Sequence, residues 1–205
     1  MALCEYKIQN DLENSCAIIG GLREIGYLAN KADIAAYTES GNTISALSFA
    51  EGTKMYKIYT PTNQPFNGTN TALEEGTVIN RFTNTVAFVV LEHNDPTALT
   101  LESLANGKYV AIIANEYEGE NGASKWQVYG IERGLKANEI TRDAYSDDTA
   151  GGWSVSMQEQ GAAKAAHFFY NTDLETTEST LEGYLTPVTP GVQGTQSTQG
   201  TQGGY

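Results

Sequence analysis

The chain of 205 residues has few of the side chains that perform acid–base chemistry or bind metal ions. It contains two histidines and two cysteines. The cysteines, at positions 4 and 16, have no neighbouring histidine and so lack zinc-site spacing. No phosphate-binding glycine loop, GxSxG motif or HExxH motif occurs. We therefore expect a protein that is not an enzyme and that uses no metal ion or other cofactor.

Long apolar runs are also missing from the sequence. No segment approaches eighteen consecutive apolar residues, the length that a transmembrane helix requires. The first eleven residues, MALCEYKIQND, include charged and polar residues where a secretory signal needs an apolar run of seven or more. We expect neither a membrane partner nor secretion by that route.

Basic residues are scarce. Twelve Lys and Arg face 25 Asp and Glu, which gives a net charge of −13. Proteins that read nucleic-acid sequence neutralise phosphates with clustered Lys and Arg, so this composition argues against that class. Fixed negative charge instead suits a surface that DNA passes without specific binding.

What the chain does contain favours β-structure. The charged fraction is 18%, glycine occurs 21 times, and the aromatic residues include 12 Tyr. Such a composition is typical of a mainly β protein, and 205 residues suffice for one substantial core. We expect one β-rich domain over residues 1–185, followed by a low-complexity Thr/Gln/Gly tail over 186–205 that is disordered or extended.

The clearest pattern lies between residues 125 and 158. Apolar side chains alternate with polar ones in two runs, which is typical of strands that bury one face. The core candidates of these runs are Trp126, Val128, Trp153, Val155 and Met157. The candidates for a wetted or intersubunit face are Ser154, Ser156 and Gln158.

The acids and histidines near these strands have structural interpretations. Asp143, Asp147 and Asp148 do not fit the ligand spacing of a calcium loop, so they are interpreted as residues that form a turn. His93 and His167 are interpreted as structural or surface residues rather than general bases.

The other segments predict an antiparallel β-sandwich or barrel with one flanking α-helix. Residues 77–91 have the strongest strand pattern, and 108–117 is typical of a central strand that pairs with 125–132 as a hairpin. Asp95 and Pro96 predict a helix start, and Gly107 predicts its end in the left-handed conformation. Residues 135–141 predict a bulged strand or a short helix.

Residues 61–75 predict a long loop, because two prolines, three asparagines and a glycine interrupt strand pairing. Either it is a floppy surface insertion or it is an arm that reaches a neighbouring subunit. The arm candidates are Pro61, Asn63, Pro65, Phe66, Asn67 and Gly68.

The segment from Val128 to Gly161, VYGIERGLKANEITRDAYSDDTAGGWSVSMQEQG, resembles the C-terminal part of the tail-tube (major tail) proteins of tailed bacteriophages. A strand, an acidic turn and a Gly-Gly-Trp strand occur there in the same order. The resemblance covers about a sixth of the chain.

The resemblance implies a β-sandwich or barrel with a flanking helix that assembles as a homo-oligomer. It implies six subunits in a ring, a continuous inner β-barrel, and a long loop that contacts the next ring. Stacked rings would form a conduit for DNA within a virion that is made in the host cytoplasm and contains other virion proteins. The uncharged Thr-Gln-Gly tail departs from this pattern, and a capsid-decoration or other phage-surface binding module is the alternative.

Overall fold

The computed structural model of the protein describes residues 19–189, together with Ile8 and Leu12. The chain is mainly β, with 43% of residues in strands and 16% in helices, which confirms the predicted fold class. The strands are β1 Leu22–Asn30, β2 Ile34–Ser40, β3 Thr43–Phe49, β4 Tyr56–Tyr59, β5 Asn70–Glu74, β6 Arg81–Val90, β7 Tyr109–Asn115, β8 Trp126–Tyr129, β9 Lys136–Arg142, β10 Trp153–Ala162 and β11 His167–Phe169; the helices are α1 Asp95–Asn106 and α2 Leu174–Gly183.

The strands form two sheets. The seven-stranded sheet has the order β2-β3-β11-β8-β7-β1-β4, and the four-stranded sheet has the order β5-β6-β10-β9. Neighbours within the sheets are antiparallel, except that β11 runs parallel to β3. The predicted hairpin between β7 and β8 is confirmed, and β9 carries the predicted bulge where its register with β10 shifts.

The middle of the seven-stranded sheet is buried on both faces because β7 is apolar on both sides. Along β7, Tyr109, Ala111 and Ile113 point into the core that is shared with the four-stranded sheet, while Val110 and Ile112 point into a second core on the opposite face. The predicted core residues divide between these two cores: Trp126 and Val128 lie in the second core, whereas Val155 and Met157 lie in the shared one. Trp153 is only partly buried, at the border of the shared core.

A second helix, α2, corrects the expectation of a single flanking helix. Asp173 caps its N-terminus by accepting a 2.7 Å hydrogen bond from the Thr176 amide. Leu181 is fully buried in the second core, and Tyr184 and Leu185 pack against that core just beyond the helix. The sparse apolar residues of this acidic segment are therefore enough to hold one helix on the sheet.

The first helix begins and ends differently from the prediction. Its cap is Asn94, one residue earlier than predicted, whose side chain accepts a 2.9 Å hydrogen bond from the Thr97 amide. Gly107 ends α1 with φ −88°, which is not the left-handed conformation. Glycine is favoured there because the Tyr109 hydroxyl occupies the space of a Cβ.

The predicted tail begins with a short docked stretch. Val188 exchanges backbone hydrogen bonds with the turn before β4, accepting from the Gly52 amide at 2.9 Å and donating to the Thr53 carbonyl at 3.2 Å. The predicted disorder of the rest of the tail, and the two cysteines, lie outside the described residues.

Candidate interaction surfaces

The outer face of the four-stranded sheet is lined by small and polar side chains. Residues directly opposite each other in antiparallel strands point to the same side of a sheet. Ser154, Ser156 and Gln158 of β10 all alternate with the buried Val155 and Met157, so they point away from the shared core. Opposite these three residues stand Val89, Ala87 and Thr85 of β6, and Thr141, Glu139 and Lys136 of β9.

Both edges of the four-stranded sheet are open in the described chain. All five residues of β5 are exposed, and along β9 only Ala137 and Ile140 are partly buried. Each edge strand pairs on one side only, so the other side presents backbone N–H and C=O groups without a strand partner. These edges are the natural places for another strand to add.

The predicted loop is anchored rather than free. Phe66 is 1% exposed and packs in the shared core, where Gly26 of β1 makes room for it: an added Cβ at Gly26 would lie 3.0 Å from the Phe66 ring. The Thr69 hydroxyl accepts a 3.1 Å hydrogen bond from the Ala87 amide and so covers the β6 edge just before β5 begins. Residues 61–69 therefore close one side of the sandwich.

The other arm candidates lie on the outer surface of the 61–69 segment. Asn63, Asn67, Gly68 and Pro61 are exposed, and Pro65 is partly buried. The expectation that 61–75 is one unpaired loop is wrong for its last part, because residues 70–74 form β5 and pair with β6. What protrudes instead is the β5–β6 turn over residues 75–80, where Val78 is 95% exposed. This turn also shortens the predicted strand 77–91, since β6 begins at Arg81.

The acidic segment between β9 and β10 forms the predicted turn. The Asp143 carboxylate accepts a 2.9 Å hydrogen bond from the Tyr145 amide, and the Arg142 guanidinium donates a 3.1 Å bond to the Gly151 carbonyl. Asp147 and Asp148 are exposed and border a cavity of about 490 Å³, which several residues of the 61–69 segment, among them Asn63 and Asn67, also line. Within the described residues, no group of three His, Cys, Asp or Glu could hold a metal ion.

A buried carboxylate joins the two sheets. Glu159 of β10 is 2% exposed and accepts hydrogen bonds from the Asn84 side chain at 3.0 Å, the Gly130 amide at 3.2 Å and the Arg133 amide at 2.6 Å. Its partners fix the turn between β8 and β9, where the chain passes from one sheet to the other. Sequence patterns missed this residue because a Glu on an alternating strand is normally assigned to the wet face.

The two histidines occupy structural or surface positions. His167 is buried, with Nε2 3.3 Å from the Glu39 carboxylate, which also pairs with the Lys164 ammonium. The hydrogen bond from Lys164 lowers the pKa of Glu39 below its ordinary value. His93 is exposed, with its ring 6.4 Å from that of Trp153.

Among the helices of residues 19–189, none is long and apolar enough to cross a membrane. Comparisons of the chain with models of protein families, with curated proteins and with solved structures find no significant match. What the protein does must therefore be inferred from its own surfaces.

Proposed function

We propose that this protein is a self-assembling structural subunit, the tail-tube subunit of a tailed bacteriophage, whose copies join edge to edge into rings that stack into a conduit for DNA. The observation that carries the proposal is the four-stranded sheet, which has one buried face, one polar outer face and two open edges. The number of six subunits in a ring comes from the family resemblance alone.

The directions of the strands favour joining through these edges. The strands β5, β6, β10 and β9 alternate in direction, so β5 and β9 run opposite ways. A β9 strand placed beside the β5 strand of a neighbouring copy would continue the antiparallel order without a break. Repetition of this head-to-tail contact by rotation closes a ring, and ring closure would remove both open edges.

The outer face suits the inside of such a ring. Serine, threonine, glutamine and alanine predominate on it, and its charged residues, such as Lys136 and Glu139, are few. A lumen of this kind is wetted and offers no clustered cations to hold phosphates, in keeping with the net charge of −13. DNA would pass through it without specific binding.

Negative-stain electron microscopy of the purified protein at rising concentration tests the proposal. We expect rings with a central opening, or tubes, and a matching rise in sedimentation coefficient. A protein that stays monomeric at high concentration would contradict the proposal. A discrete trimer that forms no ring would instead favour the decoration module.

A further inference from the structure

Charged residues of opposite sign that form no ion pair with a described residue lie at opposite ends of the four-stranded sheet. Four of the protein's twelve basic residues line a single cleft of about 670 Å³. The cleft lies where the start of β9 and the end of β10 meet the end of β1 and the start of β7. Its basic residues are Lys31, Lys108, Arg133 and Lys136, and amide side chains of Asn138, Gln158 and Gln160 complete the lining.

The cations of this cleft have no carboxylate partner among residues 19–189. Four basic residues elsewhere in that range, Arg23, Lys57, Lys125 and Lys164, do have such partners. For example, Arg23 pairs with Glu118 at 3.0 Å, and Lys125 pairs with Glu178 at 2.5 Å. The single acid in the cleft lining, Glu132, instead accepts hydrogen bonds from the Ala163 and Lys164 amides at 2.7 and 3.1 Å. The cleft therefore carries a net positive charge on a strongly negative protein.

Exposed acids without an ion pair to another described residue stand at the other end of the same sheet. They are Asp143, Asp147 and Asp148 in the turn between β9 and β10, next to Arg142. Within this turn Tyr145 is 95% exposed, so an aromatic side chain projects from the acidic surface. Glu116 and Glu118, at the same end of the β7 strand, are already paired with Arg23.

The two ends face opposite directions along β10. Ser154 lines the cavity beside Asp147 and Asp148, whereas Gln158 and Gln160 line the basic cleft. At about 3.3 Å per strand residue, Ser154 and Gln158 are about 13 Å apart along the strand. One copy can thus present its acidic turn in one direction and its basic cleft in the other.

We propose that the basic cleft of one copy receives the acidic turn Asp143–Asp148 of a second copy, end to end along the strand direction. The occupant is identified by charge complementarity, because the unpaired cations at one end match the unpaired carboxylates at the other. This contact deepens the proposed function by naming the surface through which successive rings stack, and it rests on that function. It uses the strand ends and leaves the β5 and β9 edges for contacts within a ring.

Charge reversal at each end, followed by mixing, tests the contact. The first variant, Lys108→Glu/Arg133→Glu, makes the cleft acidic, and the second, Asp147→Lys/Asp148→Lys, makes the turn basic. None of these residues lies in an edge strand. Each variant alone then carries like charges at both ends, so we expect its end-to-end association, measured by sedimentation velocity, to weaken about tenfold or more. Lys54→Glu/Lys57→Glu, with the same charge change just before and within β4, should associate as the wild type does.

An equal mixture of the two variants should restore association to about the wild-type level, because each acidic cleft then meets a basic turn. Wild-type association should also weaken as salt rises from about 0.05 M to about 0.5 M. If the wild type assembles and the variants assemble equally well, the contact is wrong while the proposed function stands. If mixing fails to restore association, the two ends do not bind each other, and the contact is again wrong.

A wild type that stays monomeric would overturn both proposals. Nucleic acid is the other candidate occupant of the basic cleft, and fluorescence anisotropy with a labelled DNA duplex tests it. We expect no binding to wild-type protein, and binding that is lost in Lys108→Glu/Arg133→Glu would assign the cleft to nucleic acid instead.

Discussion

The two sheets of this protein differ in how much of their surface the chain itself covers. The middle of the seven-stranded sheet is buried on both faces, between the four-stranded sheet on one side and α2 on the other, whereas its edge strands β2 and β4 are mostly exposed. The four-stranded sheet buries one face only and leaves β5 and β9 exposed. The two sheets also differ in tyrosine content. Tyr27, Tyr109 and Tyr129 lie in the seven-stranded sheet, and no strand of the four-stranded sheet contains tyrosine.

This difference indicates that one part of the molecule mainly stabilises the fold and another part is available to bind a partner. The strands buried on both faces contribute apolar area to folding on each side and have no open edge. A sheet with one polar face buries apolar side chains on one side only, and its open edges remain available for strand addition. The following changes should separate the two roles.

The largest loss of stability should come from the side chain that closes the gap between the sheets. Phe66→Ala removes a ring that is fully buried between Gly26 and the shared core, and we expect a loss of roughly 3–5 kcal/mol in the free energy of unfolding. Urea unfolding followed by fluorescence measures it. Asn63→Ala, an exposed position of the same loop, is the control and should change stability by less than about 0.5 kcal/mol. Equal effects of the two variants would show that the loop is not anchored through Phe66.

Substitutions at adjacent residues of β10 should differ in their cost to the unfolding free energy by almost as much as Phe66→Ala and Asn63→Ala do. Met157 is fully buried, so Met157→Ala should cost about 2–5 kcal/mol in unfolding free energy, whereas Ser156→Ala on the outer face should cost less than about 0.5 kcal/mol. Trp153→Ala should fall between them, at about 1–3 kcal/mol, because its ring is only partly buried. Chemical denaturation of the monomeric protein gives all three values. A large loss for Ser156→Ala would contradict the assignment of the outer face.

Alkaline pH should destabilise the protein through tyrosines of the seven-stranded sheet. Burial raises the pKa of Tyr27 and Tyr129 above the ordinary value of 10.0, and the hydrogen bond from Tyr27 to Glu182 adds to the effect on Tyr27. The folded state therefore keeps these hydroxyls neutral, and their contribution is complete below pH 10 and is lost as pH rises beyond it. We expect unfolding free energy to fall by up to about 1.4 kcal/mol per pH unit for each group.

Thermal unfolding between about pH 9 and pH 11 measures this loss. Tyr129→Phe removes one ionising group and should flatten the pH dependence, although it also removes the 2.8 Å hydrogen bond to the Gln127 side chain. An unchanged slope in Tyr129→Phe would exclude that hydroxyl as a source of the alkaline loss.

The smallest effect on folding, and a large one on assembly, should come from lysines on the open edges. Ala72→Lys in β5 and Thr141→Lys in β9 place like charges on two strands that the proposed ring brings together. Because both positions are exposed, the monomer should lose less than about 0.5 kcal/mol. Rings should be absent by electron microscopy. Normal rings from the double variant would show that these edges do not meet.

Much of the fold was predictable because local alternation reports burial directly. The period-two pattern placed Trp126, Val128, Val155 and Met157 inside and Ser154, Ser156 and Gln158 outside, as the structure has them. It could not tell that the two runs belong to different sheets and face different cores, because alternation shows which side is buried but not against what.

The features that the sequence did not predict depend on contacts between distant parts of the chain. Phe66 lies in a segment rich in turn residues, and its place in the shared core depends on contacts with distant strands, including its approach to Gly26. The α2 helix has few apolar residues, and tertiary packing of Leu181 outweighs its weak pattern. The basic cleft collects residues from four separate segments of the chain, so no local motif marks it.

Hydrogen exchange of the assembled and the dilute protein tests most directly whether the four-stranded sheet is the part that interacts. On assembly, amides of β5 (70–74) and β9 (136–142) should become protected as their open sides gain strand partners. Amides of β7 should be slow in both states, because its neighbours β1 and β8 already pair with it on both sides. Protection that appears instead at the other exposed edge strands, β2 and β4, would contradict this account.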